Sequence, residues 1–548
     1  MFAAAMPLVM AGCGKSNGGD PAPPAAFNYS SASVNGVSNG SFEYNRLNML
    51  PVIRLSFSAP VNRSTVAAGV SFSDRAGGTL PYRTSYASGD SVLIVQPQAA
   101  LQGFKQYALA LSTALKSTAN VALKSTLTFS LNTGIDSSDK FPRISDADLL
   151  TKVQQQTFKY FWDFGHPVSG LARERNTSGD IVTSGGSGFG IMALITGIHR
   201  NFITRADGLA RLQKIVGFLK TKAVTFHGAY PHWLNGASGA VVPFSAKDDG
   251  ADLVETSYLI QGLLCARQYF SLGDAAELAL RNDINAICNK VEWNWFRKNN
   301  ENVLYWHWSP NNNWDMNLPI RGWDECLITY VLAASSATFG IPKVVYDEGW
   351  TRNGAFRNGN LFYGVQLPLG PPAGGPLFFA HYSFLGINPN GLSDVYTNYS
   401  DQNKNHSLIN YNYCAANPLS QYGYSNQCWG LTASDIPGGY TASSPTNDVG
   451  VIAPTAALSS FPYTPAESMQ ALNFFYYVLG DKLWKEYGFV DAFSLKDPWF
   501  ADSFLAIDQG PIIVMIENYR SKLLWDLFTG CPEIKTGMKT LGFSAPYL

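Results

Sequence analysis

Residues 248–270 read DDGADLVETSYLIQGLLCARQYF, and their interpretation sets the class of the larger part of the chain. From Leu253 onward the stretch is a long, almost wholly apolar run of helical length. Its opening carries four acids, Asp248, Asp249, Asp252 and Glu255, with only Lys247 as a nearby base. On a continuous helix Asp248, Asp252 and Glu255 fall within about 60° of one another. Leu259 and Leu263 extend the same stripe inward. Acids in a first turn also answer the helix dipole, at about 0.3–1 kcal/mol each. That accounts for Asp248 or Asp249 and poorly for Glu255, two turns in and flanked by apolar residues. A carboxylate facing a cavity explains the stripe better.

Working outward, the pattern after residues 136–150 (DSSDKFPRISDADLL) is helical to the end. Predicted helices include 146–164, 188–202, 208–221, 275–291, 323–337, 466–480 and 511–528. Several are apolar around most of their circumference, so they bury more than one face. Long loops rich in Trp, Asn, Gly and Pro join them. Antiparallel helices of this kind fit a toroid of inner and outer helices, with an irregular bundle as the other solution.

Before residue 136 the period is two. VIRLSFSAPV, GVSFSD, SVLIVQPQ, YALALSTAL and STLTFSLNT are short alternating segments with the spacing of a β-sandwich. The run SFSAPVNRSTV (56–66) and the closing TFSLNTG resemble bacterial Ig-like modules, here over residues 44–135. Residues 14–43 are expected to be a flexible tether, rich in Gly, Ser, Pro and Asn. The first residues, MFAAAMPLVMAGCGKSNGGD, resemble a lipoprotein signal ending at Cys13, with Met10 where Leu is usual and no Lys or Arg before the apolar run. An upstream start codon accounts for the second departure. The resemblance implies lipidation of Cys13 and a place in the bacterial cell envelope; an ordinary secretory signal is the alternative.

With 548 residues, a net charge of −1 and only 14% charged residues, the chain is not built for nucleic acid or an anionic membrane surface. No CxxC or HExxH spacing occurs, so neither a metal nor another cofactor is expected. Cys265, Cys288 and Cys326 sit in apolar helical contexts as free thiols. Cys414 and Cys428 flank a Tyr/Asn/Gly-rich loop, where bridged and free forms both stay open.

Two further segments repeat the acidic helix opening. In PIRGWDECLITYVLAASSA (319–337), Asp324 and Glu325 precede an apolar run; in AIDQGPIIVMIENYRSKLLW (506–525), Asp508 precedes Gly510 and Pro511. Glu517, further along, is expected to be structural and paired with Arg520. Three acidic ends at one mouth would hold several carboxylates, raising the pKa of one and leaving another ionised. Glycoside hydrolysis has that requirement. The loops add His227, His232 and Trp233, then Trp306, Trp308 and Trp314, whose rings can stack on sugar faces.

Together with GFGIMALITGIHR (188–200) and FHGAYPHWLNG (226–236), these motifs resemble the bacterial glycoamylase-like family over residues 145–548. The resemblance implies an (α/α)6 toroid and, from its characterised members, endo-acting hydrolysis of β-1,2-glucan. It also implies that Asp248, Asp252, Glu255, Glu325 and Asp508 are the functional acids. Glu325, at a helix opening in an aromatic setting that should raise its pKa, is expected to be the general acid, and Asp508 or Glu255 the group that activates water. Asp248, Asp252, His227, His232, Trp233, Trp306, Trp308 and Trp314 are expected to bind substrate. Inverting and retaining courses both stay open. An exo-acting α-glucosidase of glucoamylase type and a non-catalytic glycan-binding lipoprotein are the competing readings. The expected partner is an oligo- or polysaccharide, the expected state a monomer, and any membrane contact runs through the lipid.

Overall fold

The computed structural model describes residues 24–548. Cys13 and the first part of the expected tether lie outside them. The described residues divide into two compact units, with the boundary between Ser137 and Ser138.

The first unit is a sandwich of two four-stranded sheets, in the orders β1-β3-β6-β5 and β2-β8-β7-β4. Its strands are β1 (Tyr29–Val34), β2 (Glu43–Leu47), β3 (Ile53–Phe57), β4 (Val70–Asp74), β5 (Tyr82–Ala87), β6 (Val92–Pro97), β7 (Gln106–Leu111) and β8 (Leu127–Thr133). Phe27, Leu55, Phe72, Val95, Leu109 and Phe129 fill the space between the sheets. The tether expected through residue 43 is therefore shorter. Phe27 is fully buried in the sandwich core, and β1 pairs with β3 from Tyr29 to Val34. Its sequence, YSSASV, buries only Ala32 and Val34, too few apolar positions to announce a strand.

The second unit is an (α/α)6 toroid. Amphipathic helices α1 (Asp146–Trp162), α3 (Arg205–Thr221) and α5 (Ala275–Cys288) alternate with α2 (Ser184–His199), α4 (Leu253–Tyr269) and α6 (Leu327–Ser335). The second set is buried on nearly every face and forms the inner layer. Further round come α7 (Tyr399–Ala416), α8 (Pro465–Asn473) and α9 (Ala506–Ser521), and α9 closes the ring by packing on both α1 and α2. Among the described residues no helix is long and apolar enough to cross a membrane.

Small residues set how closely the inner helices approach. A Cβ on Gly188 would lie 2.1 Å from the Tyr258 carbonyl oxygen, and one on Gly262 would lie 2.2 Å from the Gly188 carbonyl oxygen. The backbones of α2 and α4 thus touch, and no side chain fits between them. This contact brings the N-terminal ends of the two helices together.

Glu517 on α9 is fully buried and structural, but its partner differs from the one expected. Arg200 donates to it bidentately, Nε to Oε2 at 2.7 Å and Nη2 to Oε1 at 2.8 Å. Arg520 turns instead to Gln154 Oε1 at 2.6 Å. The i+3 spacing brought Arg520 close in sequence, yet α1 intrudes between the two with Gln154, whose Nε2 donates to Glu517 at 3.0 Å.

Candidate active site

The acids of the opening stretch do not form one helical stripe. Helix α4 begins at Leu253, and Asp252 is its N-cap, accepting from the backbone N–H of Val254 at 3.0 Å and of Glu255 at 2.9 Å. Asp248 lies in the turn before it. What unites them is a short antiparallel bridge in which Ala251 pairs with Trp308 and Asp252 with His307. His307 Nε2 thereby reaches Asp248 Oδ2 at 3.4 Å and Asp252 Oδ2 at 3.6 Å, and His232 Nδ1 meets Asp252 Oδ2 at 3.1 Å. The stripe argument fails on geometry, and the grouping it expected arises from strand pairing.

This cluster separates its charges. Burial pushes Asp252 upward, but hydrogen bonds from His232 and His307 prevail and hold it well below the usual carboxylate range. Burial disfavours the charged form of His232, yet the surrounding Glu255 and Asp252 raise it to about 9. Asp248 is pushed up to about 6, by burial first and then by the charge of Asp252. One Asp248 oxygen, Oδ1, is buried with no protein partner.

Glu255 occupies the first turn of α4, where its Oε2 accepts from the Gly185 N–H at 2.8 Å and the Thr183 hydroxyl at 3.2 Å. Any side chain on Gly185 would collide with it, since a Cβ there lies 2.5 Å from Oε2. Burial raises its pKa, with the Asp252 charge adding to the effect.

Glu325 sits just ahead of α6 and is partly open to solvent. Asp324 Oδ1 caps the turn by accepting from the Cys326 N–H at 2.8 Å. The Glu325 carbonyl accepts from the Tyr258 and Ser383 hydroxyls, which fixes the backbone under the carboxyl group. Desolvation, followed by the neighbouring Asp324, raises Glu325 well above the ordinary value, and Asp324 is itself raised to about 7 by burial.

Asp508, on the first turn of α9, is buried. Burial and then Asp491 raise its pKa strongly. The acid groups are electrostatically linked: Asp508, Glu325 and Glu255 all act on the buried Tyr382 hydroxyl, and Glu255 and Asp252 act on Glu325. All three expected catalytic carboxyls are pushed toward the neutral form, and the strongly ionised acid is Asp252.

The aromatic residues divide. His232 stacks on Phe244 with ring centroids 4.2 Å apart and meets Trp233 edge-on, while Trp306 lies parallel to His307. These flank the acids. His227 hydrogen-bonds Glu292 at 2.8 Å and stacks on Trp295, and Trp308 meets the same imidazole edge-on. Trp314 packs on Trp295, Phe296 and Tyr305. His227, Trp308 and Trp314 thus contact this aromatic string, and His227 also Glu292, rather than the acids of the candidate site.

Two groups of ligand-type atoms could hold a cation. His232, Asp248 and Asp252 lie within 4.8 Å of one another, as do Asp324, Glu325 and Cys326. In the first, the cationic imidazole of His232 already answers the Asp252 charge. Cys414 and Cys428 are both buried free thiols.

A family model described as "Putative glucoamylase" matches residues 317–532, and a bacterial Ig-like domain model matches residues 39–133. An endo-β-1,2-glucanase from Chitinophaga pinensis, solved with sophorotriose and glucose, is 53% identical with a TM-score of 0.73; the match covers 74% of this chain and all of that one. The chain belongs to the glycoamylase-like family. A β-1,2-glucanase from Parabacteroides distasonis is 37% identical with a TM-score of 0.71, covering 94% of this chain and 73% of that one. The exo-β-1,2-glucooligosaccharide sophorohydrolase of P. distasonis is 45% identical over 421 residues, 73% of this chain. The chain spans 58% of the length of that relative.

Several members of this glycoamylase-like pocket escaped the sequence reading. His307 stands in the same loop as Trp306 and Trp308 and alternates with them, a pattern that does not point to contact with Asp248 and Asp252. Tyr382 lies in a run of aromatic residues with no distinguishing signal. Asp491, in VDAF, left no decisive trace: only its burial in the structure shows that it needs a partner.

Proposed function

We propose that this protein hydrolyses β-1,2-glucan at internal linkages, with Glu325 as general acid and Asp508 as the group that activates water. The carrying observation is Glu325 itself: a carboxyl pushed toward its neutral form by burial and by Asp324, on a fixed backbone and partly open to solvent. Such a group can give its proton to the leaving glycosidic oxygen as the C1–O bond breaks. Asp508 takes a proton from the water that attacks C1. Asp248, Asp252, His232 and Trp306 hold the sugar, with Phe244 and Trp233 as stacking surfaces at the mouth. The relatives named for β-1,2-glucan support the linkage.

Product analysis decides the reading. On a panel of β-1,2-, β-1,3-, β-1,4- and α-1,4-glucans, only β-1,2-glucan should be shortened, into oligomers of mixed length. Release of sophorose alone would make the enzyme exo-acting, as the P. distasonis sophorohydrolase is named. Glucose from α-1,4-glucan would establish a glucoamylase-type activity instead, and no cleavage of any glucan would leave a binding protein.

The proposed place of action is the cell envelope, with Cys13 carrying a lipid. Replacing Cys13 by Ser should move the protein from the membrane fraction of the native host to the soluble fraction. Equal partitioning of the two forms would remove the anchor.

A further inference from the structure

Asp491 lies outside the helices that carry Glu255 and Asp508, yet it is as deeply buried as Asp508. Only 2% of Asp491 and 2% of Asp508 is exposed. Asp491 Oδ2 accepts from the Asp435 N–H at 2.7 Å. Its other oxygen, Oδ1, is buried without any donor, and so is Asp508 Oδ2. The two carboxyl groups are within hydrogen-bonding reach of each other. Two carboxylates cannot bond to one another, because each only accepts. A buried oxygen left without a donor on each member of such a pair is accounted for by one proton between them.

Burial raises both carboxyl groups, and the charge of Arg175 offsets only part of that effect. Arg175 is engaged by Glu174 at 3.0 Å and by Asp435 at 3.2 Å, and Ser503 donates to Asp435 Oδ2 at 2.5 Å. The remaining groups that face Asp508 are the hydroxyls of Tyr382 and Tyr440, with Glu325 and Glu255 beyond Tyr382. Thr455 Oγ1 donates to the backbone carbonyl of Asp508 at 2.9 Å, not to its side chain.

We infer that Asp491 and Asp508 share a single proton and act as one base, with Asp491 positioned behind Asp508 to receive the inner proton. A lone Asp508 in this setting would be neutral and could accept nothing from water. In the pair, the O–H bond of the attacking water breaks and its proton goes to the outer oxygen of Asp508. The proton already on Asp508 passes to Asp491, and the water oxygen bonds to C1. The pair moves from one negative charge to none and later returns the proton to solvent. Burial raises Asp491 to about 7, against the hydrogen bonds with Asp435 and Asp508 that lower it, and burial and then the charge of Asp491 raise Asp508 strongly, which keeps one proton on the pair at neutral pH. The inference rests on the proposed role of Asp508.

Neutron diffraction from the full chain, crystallised in deuterated buffer at pH 8, tests the sharing directly. One deuteron between Asp491 and Asp508 is expected; two bare carboxylates, or a water or ion separating them, would overturn the inference whatever the enzyme's substrate. Kinetics test the consequence. Asp491→Asn keeps size and polarity but cannot receive the proton. It should lower kcat on β-1,2-glucan by about 10²-fold or more, leave KM within a few-fold, and convert a proton inventory curved by two moving protons into a linear one. An Asp491→Asn enzyme with wild-type kcat, or with a lower kcat and an unchanged curved inventory, would sink it. Full activity in Asp508→Asn would instead remove Asp508 from the proposed mechanism, a separate failure. If Asp491→Asn does not fold, the neutron map alone decides.

Discussion

Glu325→Gln should lower kcat on β-1,2-glucan by about 10²–10⁴-fold, the range that general acid–base catalysis supplies, while KM stays within a few-fold. The amide keeps the size of the carboxyl and can still hydrogen-bond to sugar, but has no proton to give. Its backbone is held by the Tyr258 and Ser383 hydroxyls through the carbonyl oxygen, so the substitution does not disturb the anchor. A substrate with an activated aryl leaving group needs no protonation and should lose much less. Asp508→Asn should damage both substrates alike, since water must still be activated. Near-normal turnover of glucan by Glu325→Gln would exclude it as the acid. Glu255, also raised by burial and poised on Gly185 and Thr183, would then take its place.

The contrast between what the sequence disclosed and what it hid has a physical basis. Helices α2, α4 and α9 were legible because an apolar run longer than two turns leaves few other solutions. The acids at their openings were legible because a charge beside such a run must be paired or functional. The device that gathers them was not. Asp252 meets His307 through strand register, 55 residues apart in the chain, and register in a two-residue bridge leaves no periodic signal. For the same reason the Asp248–Asp252–Glu255 stripe was drawn on a helix that begins only at Leu253. Strands β1 and β5 were hidden because their exposed faces and short buried faces break the alternation; β5 buries no residue at all. Asp491 and Arg200 illustrate a third limit. Each is one half of a buried polar contact, and one sequence does not show which residue is the other half.

Arg200 carries the second large effect expected of this protein. Its guanidinium satisfies both oxygens of a carboxylate with no solvent exposure, in a network with Gln154, with Ser521, whose hydroxyl donates to Oε1 at 2.5 Å, and with His199, whose Nε2 lies 3.7 Å from Oε1. Burial pushes Glu517 upward, yet the bonds from Arg200, Ser521 and Gln154 prevail and hold it below its usual value of 4.5. The network's contribution is therefore complete above about 4.5 and is lost as pH falls through the depressed value. Arg200→Met keeps the apolar stem and removes the charge, leaving a buried carboxylate half-satisfied. Breaking one side of a buried pair costs about 3–5 kcal/mol, which equilibrium denaturation at pH 7 should register. Adding Glu517→Leu to Arg200→Met should recover much of that loss, because a buried pair replaced by apolar groups is often near neutral. Arg520→Met should cost markedly less, since Arg520 reaches the carboxylate only through Gln154. Equal losses from Arg200→Met and Arg520→Met would contradict this division of roles. Glu517 lies about two and a half helical turns beyond Asp508 on α9, so below the melting temperature Arg200→Met should turn over glucan at the wild-type rate. A stability loss with unchanged kcat separates the scaffold of the toroid from its chemistry.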